Sequence, residues 1–175
     1  ISDTTVAEQD LMMKTNVNAY EELLKIAIKH GANMIYASSA ATYGDSDRFE
    51  VGYEQPNNAY GFSKVMMDNI TDAYLNKGVD IQIVGLKYFN VYGQREFFKN
   101  STASMVVQFA HQILAGKTPK LFEGSDKILR DFIYIEDVIQ ANIKACSPKR
   151  SGVYNVGTGK ARSFEDIVNI LQKEL

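Results

Sequence analysis

The chain has 175 residues, 45% of them apolar, and a formal net charge of −2, which allows one domain or most of one around a sizeable core. No basic stripe stands out, so a nucleic-acid partner is not expected, and no apolar run of ~18 residues or signal peptide is read, so neither is a membrane. The single cysteine, Cys146, has no internal partner, which suits a reducing cytoplasm; no metal site is assigned.

The sequence opens on Ile1, not Met, at what reads as the end of an apolar strand. A fragment of a longer chain is therefore expected. Thr5 and Glu8 have capping-box spacing, and a helical pattern then runs to about His30, where Gly31 stops it. A short apolar strand, Met34 to Ala37, leads into the small-residue turn Ser38-Ser39-Ala40-Ala41. A polar loop with Pro56 follows. The next helix covers Tyr60 to Lys77 and ends at Gly78.

Ile81 to Leu86 reads as a buried strand, and Tyr88 to Thr102 as a loop of little periodicity with many functional groups. Ser104 to Ala115 is helical, Lys120 to Phe122 and Asp131 to Ile135 are strand-like, and Asp137 to Ala145 is helical. Val153 to Val156 is a strand, and Ser163 with Asp166 marks a capped helix start. That last helix ends at Leu175 with nothing obvious to pack on, so a missing C-terminal end is expected as well. The alternation, with connections too long for hairpins, favours an α/β fold with a parallel sheet and helices on both faces. Ligands of such sheets bind beyond the carboxyl ends of the strands, where Ser39 and the Asn90 region are both expected.

Tyr60 and Lys64 are four residues apart on one helix face. A phenol has a pKa of ~10 and is a poor base at neutral pH, but a nearby ammonium favours its anion. A shift of a few units turns Tyr60 into a usable acid/base. With ten tyrosines, roughly one such pair arises by chance. The serine pair at a strand end upstream is what raises this pair above that background, although Ser38 and Ser39 also fit a plain turn role.

The segments Tyr36 to Gly44, Tyr60 to Lys64, Lys87 to Gly93 and Arg130 to Asp137 together resemble, in order, four motifs of the extended short-chain dehydrogenases/reductases of the NAD-dependent epimerase/dehydratase type. The resemblance implies a Rossmann-type doubly wound parallel sheet, here incomplete, with a smaller substrate-binding domain. Its cofactor part would be residues 1–90 and 130–158, and its substrate part 91–129 and 159–175. Within the family, the nearest likeness is to the branch that inverts C6'' of ADP-activated heptoses. Ser2-Asp3-Thr4-Thr5, Ala37 to Gly44, Arg95-Glu96 followed by Lys99, Ala103-Ser104-Met105 and Leu121 to Ser125 carry it.

That likeness implies bound NADP, with NAD as the alternative, a nucleotide-sugar substrate, a homo-oligomer, and a part in making lipopolysaccharide inner-core precursors. By position it gives catalytic places to Ser39, Tyr60, Lys64 and Lys99. Ser2, Asn16, Tyr60, Lys64 and Val91 become cofactor contacts. Ser39, Asn90, Lys99, Ser101, Gln108, Phe122, Glu123, Gly124, Ser125 and Arg130 become substrate contacts. Arg130 suits a diphosphate because a guanidinium pairs bidentately with phosphate oxygens. From the residues alone, Lys99 is equally an exposed loop lysine, Asn16 a bridge between elements, Phe122 core, and Arg130 a partner for Asp131 or another surface acid.

Gln94, Lys87, Thr102 and Gln108 depart from the family pattern. The glycine-rich pyrophosphate turn is absent, and Gly157-Thr158-Gly159 reads as an ordinary turn rather than its replacement. A 4-epimerase is the nearest alternative. A 4,6-dehydratase lacks its acidic residues here, since Ala40-Ala41 follow the serine. A non-catalytic NADP-binding regulator has no need of the phenol.

Overall fold

The computed structural model describes residue 1, residues 8–96 and residues 98–175, with Ser101 described by its backbone only. Ser2, and Thr5 of the expected capping box, lie outside the described residues; Glu8 precedes the first helix without a side-chain cap. Two units are separately compact: residues 1–88 with 140–156, and residues 89–139 with 157–175. The first therefore takes up the chain again at Gln140 rather than at 130.

The first unit begins with α1 (Gln9–Met12), a π-helical stretch Met13–Asn18, and α2 (Ala19–Lys29). A single uninterrupted helix was expected here. The wider π turn carries Asn16, and such turns tend to sit at functional places. Gly31, at φ +62, ends the run. Then come β1 (Met34–Ser39), a 3₁₀ turn Ala40–Tyr43, and α3 (Ala59–Asn76). Asn58 caps α3 by accepting from the Gly61 N–H at 2.8 Å.

The strand β2 (Ile83–Tyr88) lies two residues later than the sequence suggests, and β5 (Gly152–Val156) follows α5 (Ile135–Ala145). All pairing in this sheet is parallel, in the order β1-β2-β5. Its central strand is buried from Ile83 to Lys87, as a strand covered on both faces must be. Tyr20, Leu24, Tyr36, Met67, Ile81 and Ile83 form the core between α2, α3 and the sheet.

The second unit contains β3 (Asn90–Tyr92), a 3₁₀ turn Asn100–Thr102, α4 (Met105–Leu114), β4 (Leu129–Tyr134), β6 (Ala161–Ser163) and α6 (Phe164–Glu174). Here β3 is parallel to β4, but β4 is antiparallel to β6. The Gly157-Thr158-Gly159 turn that precedes β6 is fastened to β4. The Asp131 carboxylate accepts from the Thr158 N–H, the Thr158 hydroxyl and the Gly159 N–H. Residues 120–122 are not a strand: the Lys120 N–H donates to the Gln112 side chain, and the Ser125 N–H turns back to the Phe122 carbonyl. Among the described residues no strand pairs with the segment. The expected capping box of Ser163 and Asp166 is formed. Phe109, Phe164 and Val168 make this unit's core.

Among the described residues no helix is long and apolar enough to cross a membrane.

Candidate active site

The strands β1 and β2 end side by side, with Ser39 opposite Tyr88. Ser39 then starts the 3₁₀ turn, its hydroxyl accepting from the Ala41 N–H at 3.1 Å. The turn presses closely on the first turn of α3. A Cβ built on Gly61 would meet the Ala41 carbonyl oxygen at 2.4 Å. A glycine beside Tyr60 is thus what lets the serine turn and the tyrosine helix approach.

The helical spacing then places Tyr60 and Lys64 together. The Lys64 ammonium lies 5.7 Å from the Tyr60 ring centroid and donates to the Ala37 carbonyl at 2.8 Å. Burial pushes the Tyr60 phenol up, and the neighbouring Ser39 hydroxyl opposes that. Burial pushes Lys64 down, and the Asp68 carboxylate opposes that. The expected lowering of Tyr60 by Lys64 is therefore not found in these surroundings. The ammonium is bonded to backbone, and desolvation of the phenolate dominates. Any further favouring of the anion has to come from another positive charge.

Asn16 is buried and fully used. Its amide donates to Ser63 Oγ at 3.0 Å and to the Ile1 carbonyl at 2.9 Å. Ser63 in turn donates to the Tyr60 carbonyl at 2.7 Å. In this arrangement Asn16 bridges helices and steadies the start of α3.

Beneath these groups lies a charged cluster that the sequence reading did not pick out. Lys87 is fully buried; its ammonium is 2.6 Å from Asp68 Oδ2, 3.0 Å from Glu54 Oε1 and 2.9 Å from Thr42 Oγ1. Asp68 also accepts from the Tyr36 and Ser38 hydroxyls at 2.8 and 2.9 Å. One sign of Asp68 was present in the sequence, since it follows Lys64 by one helical turn on the same face.

The remaining candidates belong to the second unit. Asn90 is exposed on β3 and Val91 is half-buried. Lys99 is exposed, its ammonium 3.7 Å from Glu96 Oε2. Glu96 is buried and clasps the loop, accepting from the Gly93 N–H and from both the N–H and hydroxyl of Ser104. Arg95 (φ 68) and Asn100 (φ 49), which flank Lys99, are the two non-glycine residues with positive φ among the described residues. Such strain gathers at functional loops. Ser101 belongs to the 3₁₀ turn after Lys99. Gln108 donates to the Ala103 carbonyl at 2.7 Å. Phe122 is exposed, with an edge contact to Phe164 at 5.4 Å. Glu123 is exposed, Gly124 takes φ +78, and Ser125 is buried. Arg130 is exposed on β4 and donates to the Leu129 carbonyl; it is not paired with Asp131, which holds the Thr158 turn.

The model of the NAD dependent epimerase/dehydratase family matches residues 2–157. Among solved structures, ADP-L-glycero-D-manno-heptose-6-epimerase of Helicobacter pylori is 53% identical, with a TM-score of 0.90. The match covers 98% of this chain and 55% of that one. UDP-N-acetylglucosamine 4-epimerase from Methanobrevibacter ruminantium is 26% identical with a TM-score of 0.86, over 97% of this chain and 56% of that one. UDP-glucose 4-epimerase of Thermus thermophilus, solved with NAD, is 26% identical with a TM-score of 0.81, over 98% and 58%. The chain thus spans about half the length of the structures it matches.

Proposed function

The chain belongs to the NAD dependent epimerase/dehydratase family, and from that premise we propose that it carries the catalytic residues of an ADP-heptose 6-epimerase. The reaction is inversion at C6'' of ADP-D-glycero-D-manno-heptose to the L-glycero epimer, for lipopolysaccharide inner-core precursors, with NADP as cofactor and NAD as the alternative. The observation that carries the reading is the Ser39–Tyr60–Lys64 group, with Lys64 buried and Ser39 and Tyr60 half-buried, within a chain 53% identical to a 6-epimerase along nearly its whole length.

The donor set of the first unit fits a nicotinamide ribose. Lys64 uses one of its three N–H donors on Ala37, which leaves two for a pair of hydroxyls next to the phenol. When bound, the nicotinamide supplies a reversible hydride acceptor, so that the cycle is redox-neutral and passes through a 6''-keto sugar. Tyr60 takes or returns the proton of the C6'' hydroxyl. Ser39, whose hydroxyl opposes the raising of the phenol, holds the C6'' hydroxyl in line. Inversion requires protons to be handled on two faces of the carbon. Lys99, presented by the strained loop that Glu96 clasps, is the second acid/base. Arg130 and the Phe122–Ser125 turn bind the diphosphate and the rest of the nucleotide sugar.

The test uses the complete gene product, loaded with NADP⁺ and given ADP-D-glycero-D-manno-heptose, with NMR observing C6''. Conversion without added reductant, lost on Tyr60→Phe, supports both the reaction and the substrate. No conversion despite bound cofactor overturns the heptose assignment. A UDP-hexose inverted at C4'' instead would favour the reaction named for the 26%-identical relatives.

A further inference from the structure

We propose that Asp68 is a positioning residue that sets Ser39 against Tyr60, an inference that rests on the catalytic reading above. Asp68 is buried and touches no reacting group. Its two oxygens accept from Tyr36 and Ser38, alternate residues on one face of β1. Between them, the Ala37 carbonyl accepts from Lys64. The second half of β1 is therefore stitched to α3 at three successive residues. The next residue is Ser39, and one turn before Lys64 on α3 is Tyr60.

Lys87 ties in the other segments. It stands opposite Ser38 in the β1–β2 register and bonds Asp68, Thr42 of the serine turn, and Glu54 of the loop that leads into α3. One ammonium thus holds the chain after Ser39, the chain before Tyr60 and the helix after Lys64. Gly85 leaves room for the arrangement, since a Cβ there would meet the Tyr36 ring at 2.5 Å. No buried side-chain polar atom among the described residues lacks a partner, so the cluster is satisfied as it stands. A satisfied buried network of this kind fixes geometry more than it adds stability.

Asp68→Asn in the complete gene product tests the idea. Asn matches Asp in shape, and Lys87 keeps Glu54 as its counter-ion, so the variant is expected to fold. An amide, however, has one acceptor oxygen in place of two and cannot serve all three donors. The expected result is a fall in kcat on the order of ten- to a hundredfold, with the nucleotide-sugar KM within about twofold. A crystal structure of the variant is expected to show Ser39 displaced from its place beside Tyr60. Asp72→Asn, which removes an exposed charge one turn further along α3, is expected to leave kcat unchanged. An unchanged kcat in Asp68→Asn, equal losses in both variants, or an unmoved Ser39 overturns the proposal. If the parent protein turns over no nucleotide sugar, the catalytic reading fails, and the variant's crystal structure still decides whether Asp68 positions Ser39.

Discussion

At Tyr60 and Lys64 the same burial acts in opposite directions on two acids of opposite charge type. It disfavours the phenolate and the ammonium alike, so the phenol goes up and the ammonium down. The active base form of Tyr60 is therefore scarce at neutral pH, and kcat is expected to rise with pH as the phenol ionises. Tyr60→Phe is expected to lower kcat by roughly 10²–10⁴-fold and to abolish that rise; a pH–rate profile of both proteins checks it. Glu96 obeys a different balance. Burial raises its carboxyl, but the donors from Ser104 and Gly93 and the nearby Lys99 outweigh burial and hold it below the usual range. A carboxyl lowered in the folded state contributes stability above its unfolded pKa and loses it as pH falls through the folded value. Glu96→Gln is thus expected to flatten the loss of stability below about pH 4, measured by urea unfolding across that range. An unchanged slope would mean that the clasp contributes nothing to stability.

The elements show how far local rules reach. The helix over 59–76, the capping box at Ser163 and the buried β2 follow from spacing, caps and apolar runs that are local in sequence. The pairing of Tyr60 with Lys64 is likewise an i,i+4 relation. The Lys87–Asp68–Glu54 cluster escaped the reading because its members are distant in sequence and meet only through strand register and helix docking. The 120–122 segment shows the converse: its residues suit a strand, but no described strand pairs with it. Gly61 belongs with the distant relations, since its neighbour is Ala41. Gly61→Ala is expected to cost about 1–3 kcal/mol by overpacking and to lower kcat by driving the serine turn from α3. Gly31→Ala makes the contrast. No heavy atom lies within 4 Å of its built Cβ, but its φ is +62, so about 1–2 kcal/mol of backbone strain is expected with kcat unchanged. Thermal unfolding with parallel turnover measurements separates the two. Equal kcat losses would show that the close approach at Gly61 has no special bearing on the site.

The whole molecule divides its candidate residues between units of unequal construction. Ser39, Tyr60 and Lys64 stand on a parallel sheet whose central strand is buried over five residues and paired on both sides. Lys99, Ser101, Gln108 and Arg130 stand in a unit whose outer strands, β3 and β6, have three residues each. Backbone hydrogen bonds open locally at a cost set by the burial around them, and substrate-handling segments are drawn from the less stable end. Amide hydrogen exchange is therefore expected to be slowest at residues 84–87 of β2, and faster by about tenfold or more across β3, β6 and the Lys99 loop. The ordering follows from construction: β2 exchanges only when a two-sided sheet opens, whereas the short strands open with the loss of a few bonds. Uniform protection across both units would mean that they unfold as one. The Lys99 loop would then be as firmly held as the serine turn, and its strained residues would reflect rigidity rather than a segment made to adjust to substrate.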